Sequence, residues 1–63
     1  MHEKQKRLIL SALRECELLL RNDIERKRAA GYMAVAATLE ERLAKVRAII
    51  HMTERIEADV YPR

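Results

Sequence analysis

The sequence predicts an all-α protein: a two-helix antiparallel hairpin that dimerises into a four-helix bundle. Three observations lead there. Apolar residues recur every three or four positions in both halves of the chain, the helical period. The only glycine, Gly31, stands at the middle of the 63 residues. The two halves also carry more apolar side chain than a single helix–helix seam covers.

The first helix is expected over about residues 3–29. Ile9, Leu13, Cys16, Leu20 and Ile24 form one stripe, widened by Leu10 on one side and by Ala12 and Leu19 on the other. Alternation of period two, the mark of a strand, is missing. Glu3 and Arg7, and Glu17 and Arg21, stand at i,i+4 with the acid first, the favourable order on a helix.

The turn is expected at residues 30–32. Gly31 just past a helix end supplies the left-handed conformation that satisfies the last carbonyls. Arg26, Lys27 and Arg28 precede it, where cations favour a helix C-terminus. The rival geometry is one continuous helix of about 55 residues, near 80 Å long. The matched lengths of the two arms favour the hairpin.

The second helix is expected over about residues 33–59. Tyr32, Ala36, Leu39, Leu43, Val46, Ile50 and Thr53 follow a heptad spacing, with Ile49, Ile56 and Val60 as a neighbouring stripe. Glu41 and Lys45 add an i,i+4 pair. Pro62 cannot continue a helix, so this one ends near Asp59, before a short tail. Residues 1–63 thus form a single domain.

Folding the arms together places Ile24 near Ala36, Leu20 near Leu39, Cys16 near Leu43 and Val46, and Leu13 and Ile9 near Ile50 and Thr53. Leu8, Ala12 and Leu19 remain as a shoulder on the first helix, and Ile49, Met52 and Ile56 as one on the second. Each Leu or Ile left in water forgoes roughly 1.5–3 kcal/mol. A second copy would cover both shoulders in a four-helix bundle. The expected core and oligomer interface is therefore Ile9, Leu13, Cys16, Leu19, Leu20, Ile24, Leu39, Leu43, Val46, Ile49, Ile50 and Ile56.

Size argues the same way. A chain this short buries only about 60% of its unfolded surface. Small proteins compensate with disulfides, a metal or oligomerisation. Cys16 is the only cysteine, so no disulfide forms within the chain. His2 and His51 share no short ligand spacing with it, so neither a metal nor another cofactor is expected. Oligomerisation remains.

The net charge is +3, and the excess lies in the first half: residues 1–31 carry eight Lys/Arg against five Asp/Glu, and residues 32–63 five of each. Arg7, Arg14, Arg21 and Arg28 line outward positions of the first helix, with Lys4 beside them. They read as a solvated, salt-bridged face or as a phosphate-contacting face doubled in a dimer. Glu15, Asp23 and Glu25, interleaved among them, oppose strong non-specific binding. Leu18 stands alone on this polar face and is a candidate anchor for a protein partner.

The remaining reactive or aromatic residues have plainer readings. Cys16 reads as a small buried hydrophobe. His51, near Arg47 and Arg55, reads as a surface histidine, and His2 as part of a frayed terminus. Tyr32 is expected to close the end of the core, and Tyr61 to lie in the tail. Two tyrosines without Phe or Trp make no stacking platform for single-stranded bases.

No phosphate loop, paired metal-ligand motif, or serine or cysteine beside a base occurs, so no catalytic residue is expected and the chain reads as a non-enzyme. The charged N-terminal segment does not resemble a signal peptide, and no run reaches the roughly 20 apolar residues of a membrane span. A single thiol fits a reducing compartment. The expectation is a cytoplasmic protein without membrane contact.

The architecture resembles the Rop family of plasmid copy-control hairpins, in its length, a turn near Ala30-Gly31 and two apolar seams. That resemblance implies a dimeric four-helix bundle. It does not extend to the family's RNA-binding face, because the aromatic on the first helix has no counterpart here. Ala30-Gly31-Tyr32 followed by Ala36 and Leu39 looks like the inner turn of a tetratricopeptide repeat, an architecture that needs about three repeats. In size, helicity and charge the chain is similar to the small early-region proteins of lambda-like temperate phages. That likeness implies a role in modulating host processes or the lysogeny–lysis switch, in the host cytoplasm.

The expected function is that of a small homo-oligomeric regulatory or adaptor protein whose partners are a second copy of itself and another protein. The alternatives are a nucleic-acid-binding regulator using the basic face, and a structural assembly subunit.

Overall fold

A computed structural model describes residues 2–56. Two helices, α1 (Glu3–Ala29) and α2 (Met33–Arg55), pack antiparallel as a hairpin. The expected apolar position Val60, the helix end near Asp59, and the tail with Tyr61 and Pro62 lie outside the described residues.

α1 begins at His2, whose backbone is extended and whose N–H donates to Gln5 Oε1 at 3.4 Å. His2 stands at the helix N-cap position. At the other end Gly31 has φ +86°. Its N–H donates to Arg28 O at 3.0 Å and that of Tyr32 to Lys27 O at 2.8 Å. These two bonds satisfy carbonyls that α1 leaves open, and they reverse the chain. α2 starts at once, with Ala36 N–H donating to Tyr32 O at 3.0 Å.

α2 runs to Arg55. Ile56 leaves the helix with ψ 123°. Two side chains bond to backbone carbonyls near this end. Thr53 Oγ1 donates to Ile49 O at 2.8 Å, an i−4 bond that competes with the backbone ladder. Lys6 Nζ of α1 takes the freed carbonyls, Ile56 O at 2.7 Å and Glu54 O at 3.3 Å.

The core is a thin seam. Ile24, Ala36, Leu39 and Leu43 are buried together, with Leu20 packed against them; Ile50 and Thr53 continue the seam toward the chain ends. On α1, Lys6, Leu10, Leu13, Glu17, Leu20, Asp23 and Lys27 are half-buried around Ile24. That set is centred about 20° from the expected stripe, taking 100° per residue. Cys16, read as buried against Leu43 and Val46, is exposed instead. An ion pair accompanies this rotation. Glu17 leaves its expected partner Arg21 for Arg47 on α2, at 2.9 Å, and its edge of α1 lies at the seam. Leu13 and Val46 are half-buried.

Ile9, Leu19, Ile49 and Ile56, placed in the core or the oligomer interface, are exposed in the hairpin. One neighbouring helix covers one seam of α1 and no more. Tyr32, expected to close the core, is 59% exposed. Its extended-to-bridge backbone at the N-cap (φ −84°, ψ 70°) takes the side chain off the helical face that the heptad spacing assumed.

Candidate functional site

Two broad faces flank the seam, and they differ in chemistry. On one, ion pairs tie the helices. Arg14 Nη2 donates to Glu54 Oε2 at 2.8 Å, Arg47 Nε to Glu17 Oε2 at 2.9 Å, and Arg28 Nη2 pairs with Glu40 Oε2. On α1 these residues share an arc of about 60°, and on α2 an arc of about 40°. Arg7 joins the face through Glu3 at 3.6 Å. His51 Nδ1 lies 3.8 Å from Glu54 Oε1 at its margin.

The sequence placed Arg7, Arg14, Arg21, Arg28 and Leu18 outward on the first helix, and the structure puts all five on this face. Arg7, Arg14 and Leu18 line one shallow depression with Leu10, Ser11 and Glu15. Arg21 and Arg28 line another with Glu40, Leu43 and Arg47, in the groove between the helices. Arg21 has no acid at ion-pair distance among the described residues. Leu18 is 55% exposed amid these charges. The acids that tie the helices, Glu17, Glu40 and Glu54, were missed as partners across the seam. Opposite charges at matched heights of two antiparallel arms were the signal that would have found them.

The other face is apolar. α1 contributes Leu8, Ile9, Cys16 and Leu19, and α2 contributes Val35, Ile49, Met52 and Ile56, all exposed. Consecutive residues divide between the faces: Leu18 is on the ion-paired one and Leu19 on the apolar one. Among the described residues no salt bridge joins the helices on the apolar side. Its charges include Asp23, Lys27 and Arg42 toward the turn, where Lys27 Nζ donates to Asp23 Oδ1 at 3.2 Å, and Lys45, which shares the α2 arc of Ile49 and Met52.

Among the described residues no group of three or more His, Cys, Asp or Glu side chains is placed to hold a metal ion, and no helix is long and apolar enough to cross a membrane. Every buried side-chain nitrogen and oxygen among them has a hydrogen-bond partner. No protein-family profile, no curated protein and no solved structure matches the chain.

Proposed function

We propose that this chain is a homodimeric, non-enzymatic helical module: two hairpins close on each other through their apolar faces and present their ion-paired faces to a protein partner, as a regulatory or adaptor protein does. The observation that carries this reading is the segregation itself. Ion pairs that bridge the helices keep to one face, and most of the large exposed aliphatic side chains, Leu18 and Met33 apart, lie on the other. A monomer would have no reason to concentrate them there, whereas contiguous apolar patches mark association surfaces.

The dimensions suit a second copy. α1 has 27 residues and spans about 40 Å, and two adjacent helices are about 20 Å wide, so the face offers about 800 Å². A stable interface takes about 800 Å² from each partner.

The outward faces of the dimer would carry Leu18 in its depression, with Arg21 nearby. That combination suits a helix bearing one apolar anchor and acidic neighbours. Phosphate contact by Arg7, Arg14, Arg21 and Arg28 is the weaker reading, because three of the four already pair with acids that a phosphate would have to displace.

Sedimentation equilibrium tests the dimer. A species of twice 7.4 kDa at micromolar concentration, with a melting temperature that rises with concentration, is the expected result. A well-folded 7.4 kDa monomer would remove the reading. For the outer face, a partner captured from nuclease-treated lysate should be lost with Leu18→Glu and kept with Ser11→Ala. Loss of capture on nuclease treatment would instead favour nucleic acid.

A further inference from the structure

The layers of the apolar face determine how a second copy fits, an inference that rests on the dimer proposed above. Ile9, Cys16 and Asp23 follow at heptad intervals on α1, and Ile56, Ile49 and Arg42 do so on α2. Seven residues advance about 10.5 Å and return to nearly the same side of a helix.

The contacts across the seam set the heights. Lys6 binds the carbonyl of Ile56, Glu17 pairs with Arg47, and Arg28 with Glu40. Between these ties Ile9 lies level with Ile56, Cys16 with Ile49, and Asp23 with Arg42. The face thus has an isoleucine layer toward the chain ends, a second apolar layer at its centre and an ionic layer toward the turn. Arg42 has no ion-pair partner among the described residues.

We propose that the second copy docks with its turn at the same end, about a twofold axis running along the bundle. α1 of each copy then lies on α2 of the other, and Asp23 faces Arg42 of the second copy. Isoleucines meet isoleucines, and Asp23 of each copy, already held by Lys27 and Arg26 of its own helix at 3.2 and 3.7 Å, gains Arg42 of the other as a further cation. With the turns at opposite ends, each ionic layer would instead fall on the isoleucines of the other copy. A charge pressed against aliphatic side chains loses water and gains no opposite charge. Polar layers fix register and orientation in helical assemblies in this way.

The test is a distance. Ala30 is exposed at the end of α1, and a spin label is attached there through Ala30→Cys in a Cys16→Ala background. Turns at the same end give a label separation of about 20 Å, and turns at opposite ends about 40 Å, the length of α1. A separation near 40 Å within a species of twice the chain mass overturns the orientation and leaves the dimer standing. A monomeric species overturns the dimer, and this inference with it.

Charge exchange gives an independent measurement. Asp23→Arg and Arg42→Asp should each weaken association at least tenfold alone, and a one-to-one mixture of the two variants should restore it. Only the same-end arrangement brings their opposite charges together, so a mixture as weak as its components would overturn it.

Discussion

Arg47 on α2 donates from Nε to Glu17 Oε2 on α1 at 2.9 Å, at the middle of the hairpin. The Glu17 edge of α1 lies at the seam, and Cys16 lies outside it. The guanidinium side chain is half exposed and that of Glu17 about a quarter exposed. The tie therefore adds little to stability.

That small contribution is measurable. Glu17→Ala removes a partly solvated ion pair and should lower stability by less than about 1 kcal/mol. Leu43→Ala empties a buried position and should cost about 2–5 kcal/mol, a large fraction of what so small a domain has. Thermal melts followed by circular dichroism compare the two. Equal losses would mean that the ion pairs, and not the seam, hold the helices together.

Leu18 and Leu19 are adjacent in sequence, similarly exposed, and on opposite faces. Leu19→Glu puts a charge into the apolar face and should shift sedimentation toward the monomer. Leu18→Glu leaves that face untouched and should keep the dimer mass. If both variants dissociate alike, the assignment of faces is wrong.

Cys16 offers a probe that needs no substitution. Its thiol is open in the hairpin and lies in the central layer of the apolar face. Its reaction with a thiol reagent should be slow at high protein concentration and quicken on dilution below the dissociation constant. Leu19→Glu should make it fast at every concentration. A rate independent of concentration would place Cys16 outside the interface.

Gly31 isolates a backbone effect. A Cβ added there would meet nothing within 4 Å, so Gly31→Ala creates no clash. Its φ of +86° still opposes an L side chain, and a loss of about 1–2 kcal/mol is expected. Gly31→Asn should lose less, because asparagine tolerates the left-handed region better. Denaturant melts at fixed protein concentration give both values.

The sequence by itself determined the helices, the turn and the surplus of apolar side chain. Those follow from local rules: the helical recurrence of Leu39, Leu43 and Ile50, and a glycine where the chain must adopt a positive φ. It also named the residues of both shoulders, since periodicity alone shows that Leu19 and Ile49 lie off the central seam. Only the tertiary structure decided which side of α1 meets α2. Apolar periodicity defines a stripe wide enough to admit several rotations, and the rotation adopted is seen in contacts between residues far apart in the chain: Glu17 with Arg47, Arg14 with Glu54, and Lys6 with the carbonyl of Ile56. A single-helix pattern does not contain those pairings, because they exist only once the second helix is set beside the first.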